Sequence, residues 1–214
     1  NGTASFGASV NILTKNPEEK PYFLTNQSAG SFNTFKHSFE AGTGKFLNNL
    51  LSVSARYSII NSDGYIDRAF SKLNSYNINA LFEKGNTKLR FLTFGGKEKT
   101  YQAWNGIDKA TYESNPKFNY SGAIYDANWE NIIGFYDNET DNYRQNHYHL
   151  LWEQKLGKIW NLETTFHLTH GEGYYENYKQ DAKFSKYDLP NIVENGNTIT
   201  RTDFIRKKWL DNDF

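Results

Sequence analysis

The residues best suited to chemistry are three histidines. His147 and His149 alternate within one run, and His167 lies in the next. Imidazoles on one face can bind a transition metal or touch a metal chelate. No carboxylate is fixed nearby to complete a ligand set. A patch that is simply polar is the plainer alternative. Asp137, Glu139 and Asp141 form an acidic run that could hold Ca²⁺, but it lacks a glycine-centred loop; a solvated loop is the other reading. Gly42-Thr43-Gly44-Lys45 echoes the end of a phosphate loop, but Phe39 and Phe46 stand where the first Gly and the Ser/Thr belong. The chain contains neither G-x-S-x-G nor H-E-x-x-H. With no cysteine, disulfides and thiol chemistry are excluded. The sequence therefore predicts a protein that is not an enzyme and needs no cofactor, with no catalytic residue and no assured metal site.

Aromatic residues are the stronger binding candidates. Tyr101, Trp104, Tyr112, Tyr120, Tyr125 and Trp129 crowd one long polar stretch. Exposed rings offer large contact area at low entropic cost and stack on flat ligands. The alternative is that they pack on one another to fold the stretch. A net charge of +0 and the absence of a basic cluster with interleaved aromatics exclude a nucleic-acid partner.

These groups must be positioned by strands. Leu51, Val53, Ala55, Tyr57 and Ile59 alternate with Ser52, Ser54, Arg56 and Ser58, giving one apolar and one polar face. The same period of two recurs at Tyr76–Phe82, Leu89–Thr93, Tyr148–Trp152 and Trp160–Leu168. Residues 21–30 are the least regular.

Turn chemistry sets the register. Gly85-Asn86 predicts a two-residue hairpin that pairs Phe82 with Leu89 and Ala80 with Phe91. A three-residue loop at Leu156-Gly157-Lys158 would set Trp152 opposite Leu162, Tyr148 opposite Phe166 and His147 opposite His167. One at Phe46-Leu47-Asn48 would set Phe39 opposite Ala55. The segments 61–73, 98–142 and 170–214 read as long polar loops. Apart from a short connection at Ser31-Phe32-Asn33, short and long connections alternate, so tight turns gather at one end and long loops at the other. Transmembrane barrels have that asymmetry, with short periplasmic turns and long extracellular loops.

A mean hydropathy of -0.78 is too polar for membrane helices, and no run reaches the roughly 20 apolar residues that a spanning helix needs. Barrels escape this test because only every second residue meets lipid. A soluble carbohydrate-binding β-sandwich is one alternative, with the same aromatics as sugar platforms; a barrel-embedded hydrolase is another, and it would need a Ser/His/acid constellation outside this sequence. Tyr57, Tyr76, Tyr148, Trp152 and Trp160 near strand ends fit the aromatic girdles of a barrel instead.

The opening run Gly2-Thr3-Ala4-Ser5-Phe6-Gly7-Ala8-Ser9-Val10-Asn11-Ile12-Leu13-Thr14 resembles the end of the plug domain in TonB-dependent outer-membrane receptors. Gly7-Ala8 stands where many members have two glycines. Gly30-Ser31-Phe32-Asn33-Thr34 and Phe39-Glu40-Ala41-Gly42-Thr43-Gly44 look like the family's first barrel hairpin. Thr100-Tyr101-Gln102-Ala103-Trp104-Asn105-Gly106, Asp137–Tyr143, Gly173-Tyr174-Tyr175-Glu176 and Trp209–Phe214 are similar to signatures of Bacteroidetes-type members. The resemblance implies an all-β fold: part of an antiparallel transmembrane β-barrel, roughly seven strands of a plugged barrel of about 22. Residues 1–16 would end the plug and 17–214 begin the barrel, so the chain is expected to be a fragment. Implied with it are the Gram-negative outer membrane, a lipid bilayer around the strands, and the TonB-ExbB-ExbD complex acting through a part outside this sequence. The ligand would be an iron-siderophore complex, haem, cobalamin or an oligosaccharide, the first being commonest in the family.

Overall fold

The computed structural model describes residues 14–213; most of the expected plug tail, residues 1–13, lies outside them. Antiparallel hairpins follow one another: β1 (Pro21–Gly30), β2 (Thr34–Phe46), β3 (Leu51–Ser62), β4 (Ser71–Lys84) and β5 (Thr87–Tyr101). A long excursion then carries a short helix α1 (Lys109–Ser114) and a small hairpin, β6 (Ala123–Tyr125) and β7 (Ile132–Phe135). The main sheet resumes with β8 (Thr140–Leu156) and β9 (Trp160–Lys183). A second small hairpin, β10 (Ile192–Glu194) and β11 (Asn197–Ile199), precedes β12 (Arg201–Asp213). The main sheet has eight strands in the order β1-β2-β3-β4-β5-β8-β9-β12. It is all antiparallel and unclosed, the form of part of a barrel wall.

Period-two patterning places the two faces as expected. Phe23, Phe39, Tyr57, Ile78, Phe91, Leu150 and Phe166 lie exposed on one side. Ser38, Ser58, Asn79 and Arg90 lie on the other. The buried hydrophobic residues are only Leu81, Leu92, Tyr101 and Phe184 among the described residues. No second sheet covers the apolar face within them, so the two-sheet core of a sandwich is not formed here.

The turns bear out one register and correct two. Lys84 pairs with Thr87, Phe82 with Leu89 and Ala80 with Phe91, as the Gly-Asn turn requires. At the β8–β9 turn the loop is residues 157–159. Leu156 pairs with Trp160, Trp152 with Thr164 and Tyr148 with Leu168. The expected register was thus off by two residues, a slip that keeps every side chain on its face. Gly157 takes φ +82, and the longer ladder adds Leu156 and Trp160 to the apolar side. At β2–β3, Leu47, Asn48 and Asn49 all have positive φ. With the irregularity between Gly42 and Lys45, this sets Phe39 opposite Tyr57 rather than Ala55.

The expected loops shrink. Residues 61–73 reduce to 63–70, and 98–142 to 102–139. The segment 170–214 is mostly strand: β9 runs on to Lys183, and β12 returns along it with Asp213 opposite His170. Among the described residues this supplies an eighth strand of the main sheet, where roughly seven were expected. Alternation is lost there because Tyr, Asn and Glu occupy both faces, although the backbone ladder continues.

Candidate ligand-facing end and inner wall

The excursion between β5 and β8 is a folded cap. Its first anchor is Tyr101, which is buried; its hydroxyl donates to the carbonyls of Ser121 at 3.0 Å and Tyr136 at 2.8 Å. Gly122 sits beneath that hydroxyl at φ +74, where a Cβ would lie 2.4 Å from the oxygen. Gln102 donates to the carbonyls of Thr140 and Glu176, and accepts from Asn177 Nδ2 at 2.7 Å. Asn119 is buried and donates to the carbonyls of Asp67 and Gln102. Arg68 donates to the Asn119 carbonyl and lies 3.5 Å over the Phe135 ring. Buried amides need hydrogen-bond partners, and here those of Gln102 and Asn119 find them across the loop.

Two carboxylates finish the knot. Glu139 accepts from Asn177 Nδ2 at 2.9 Å and from the Tyr178 N–H at 2.7 Å. Glu176 accepts from Tyr136 Oη, from Asn138 Nδ2 at 2.6 Å, and pairs with Lys207 at 3.1 Å. Burial pushes the Glu176 carboxyl up, but these three donors outweigh it and hold the group below the usual range. Burial and the Glu176 carboxylate push the Tyr136 hydroxyl up to about 12.

The aromatic candidates divide between these roles. Tyr101 is an internal brace. Tyr120 turns its hydroxyl toward Thr111, 3.2 Å away, and toward Asp108, and its ring meets Phe118 edge-on. Trp104 and Tyr112 are exposed, Trp104 against the edge of Tyr175. Tyr125 and Trp129 stack at 5.7 Å. Alternation gave no warning of the pinning residues Gln102, Asn119 and Asn177, since they act through non-local partners.

The histidines do converge, in a changed register. His149 faces His167, their rings 6.2 Å apart, and His147 faces Thr169. His147 stacks on Phe94 at 4.6 Å, and its Nδ1 lies 2.9 Å from Thr169 Oγ1. Among the described residues the three rings do not form a metal-ligand cluster; His170, Asp211 and Asp213 are the group whose donor atoms lie within 4.8 Å of one another. Asp137, Glu139 and Asp141 do not converge either, because Glu139 is tied to β9.

The polar face carries another feature. Arg90 donates to the carbonyl of Lys15 at 2.6 Å, and to the carbonyl and hydroxyl of Thr14. Asn79 donates to the Lys15 carbonyl at 2.8 Å and accepts from Arg90 Nε at 2.9 Å. The segment preceding β1 is thereby held against the inner wall, beside a cavity of about 830 Å³ bordered by Glu40, Arg56 and Asn77.

The class that this architecture defines is an all-β barrel-wall fold with a polar interior and a folded cap. Among solved structures the chain is similar to the ferric-catecholate import receptor Fiu from Escherichia coli K12 in its closed form. The TM-score is 0.59 at 12% identity, covering 95% of this chain and 28% of that one. The chain thus spans under a third of that receptor's length, and the likeness shows the fold. No protein-family model matches the sequence, and no curated protein matches it.

Proposed function

We propose that the chain forms part of an outer-membrane, TonB-dependent receptor that imports a scarce ligand. The carrying observation is the two-faced sheet. Among the described residues its apolar face is bare of protein, while its polar face grips the segment that precedes β1. A bare face of this extent needs a covering, and a bilayer supplies one along the whole wall. A tilted strand crosses a bilayer in roughly 9–11 residues. β9 has 24, so its upper half, with the cap, stands clear on the outer side.

No bond chemistry is assigned to the chain. Import is powered by TonB-ExbB-ExbD acting on a plug threaded through the lumen, and the ligand is an iron chelate. The likeness to a ferric-catecholate import receptor supports that choice. Fractionation tests the placement: the full-length protein should need detergent for extraction. A soluble monomer would contradict it.

A further inference from the structure

The ladder between β8 and β9 reaches only to Asp141 opposite Tyr175. Beyond it, among the described residues, β9 is paired to β12 alone. Side chains close its other edge at Glu176 and Tyr178, where Gln102 and Glu139 bond the backbone, and no strand lies alongside that edge from there to Lys183. A cleft of about 460 Å³ runs along that edge, within the range of small-molecule sites. One wall is the turn of the β6–β7 hairpin, with the stacked rings of Tyr125 and Trp129. Trp129 is held in the left-handed region at φ +62. Asp126 enforces that turn: its carbonyl accepts from the Trp129 N–H, and its carboxylate accepts from the Glu130 N–H and Asn131 Nδ2. A strained residue fixed with its ring exposed is the kind of feature that accompanies binding.

The other wall is cationic. Lys179, Lys183, Lys186 and Arg201 border the cleft, and the one carboxylate among its lining residues, Asp181, is taken by Arg201 at 2.7 Å. Among the described residues, none of the three lysines has a carboxylate within 4.0 Å. The buried Tyr187 hydroxyl, also on the cleft, has no hydrogen-bond partner among them. Burial pulls the Lys179 ammonium below the usual lysine value, with Arg206 and Lys186 adding to it and the Glu139 carboxylate only partly offsetting it; a bound anion would relieve that.

We propose that this cleft captures an anionic ligand carrying flat aromatic rings: the rings lie on Tyr125 and Trp129, and the oxyanions meet the lysines. The site rests on the uptake reading in one respect, that this end faces outside.

The test uses full-length protein in detergent and calorimetry with two probes: the ferric complex of dihydroxybenzoate, which is anionic and aromatic, and that of a neutral trihydroxamate. Replacing Lys179, Lys183 and Lys186 together by Gln should weaken the anionic probe by about tenfold or more and leave the neutral one unchanged. Trp129→Ala should weaken the anionic probe alone. Heat-modifiable gel migration reports that each variant keeps its barrel. Unchanged binding of the anionic probe in both variants overturns the site. So does competition by polygalacturonate, which has charge without aromatic rings, at equal strength. If cells fail to import the anionic chelate although the purified protein binds it through these lysines, the cleft stands and the uptake reading falls. If import is intact in the triple variant, the cleft falls and the uptake reading stands.

Discussion

The carboxylate of Glu139 accepts the backbone N–H of Tyr178 at 2.7 Å, filling the place of a ladder partner beyond the pairing of β8. Its second oxygen accepts from Asn177. One side chain thus seals the open edge of β9 and fastens the end of the cap to it.

Glu139→Ala should therefore release the cap without undoing the barrel. A buried donor left unmade costs about 1–3 kcal/mol, and two donors lose their acceptor here. Limited proteolysis should cut within residues 102–139 in the variant and spare them in the parent, with heat-modifiable migration unchanged. Equal resistance in both would show that Glu139 does not hold the cap.

The tip formed by β9 and β12 should show a defined pH window. The hydrogen bond to Asp203, burial and the Asp203 charge push the Tyr178 hydroxyl up to about 12. The Asp181 N–H and the Tyr178 hydroxyl hold the Asp203 carboxyl below the usual range. A depressed carboxyl contributes stability above its unfolded value of roughly 4, lost as pH falls through the folded one. A raised phenol contributes stability below roughly 10, lost as pH rises toward 12. Exchange protection of the Asp181 amide should fall at both ends of that window, and Asp203→Asn should remove the acidic limb. Protection that stays flat across both limbs would contradict the pairing.

The strand pattern was legible because the two faces carry opposite chemistry, apolar on one and polar on the other, and Gly85-Asn86 fixed one register outright. The registers at residues 157–159 and 47–50 were not legible. A slip of two preserves every face, so hydrophobic pattern cannot detect it, and three consecutive left-handed residues at Leu47, Asn48 and Asn49 carry no single turn signature. Residues 170–183 hid a strand because both their faces are polar. The cap's aromatics were visible by type. Which of them brace and which are exposed depends on Gln102, Asn119 and Glu139, whose partners are distant in sequence.

The faces can be tested on one strand. Ile78 lies exposed on the apolar side, and Ser75, three residues earlier, is exposed on the polar side. Arginine facing lipid near the midplane costs roughly 2–4 kcal/mol. Ile78→Arg should lower the yield of assembled protein in the outer membrane, and Ser75→Arg should not. Equal yields would mean that the apolar face does not meet lipid.

Arg90 and Asn79 should fix the segment before β1. Arg90→Ala removes three hydrogen bonds to Thr14 and Lys15, and Asn79→Ala removes another. A spin label placed at Glu18 should become more mobile in the double variant while the barrel assembles normally. An unaltered spectrum would assign the anchoring to other contacts.

Energised import is the central claim, and one measurement reaches it directly. A strain deleted for the full-length gene, with and without a plasmid copy, is given radiolabelled ferric dihydroxybenzoate. Half of each culture is treated with a protonophore. Cell-associated iron should accumulate only in the complemented, untreated cells. Accumulation that is the same with and without the gene, or that persists after the protonophore, would contradict it.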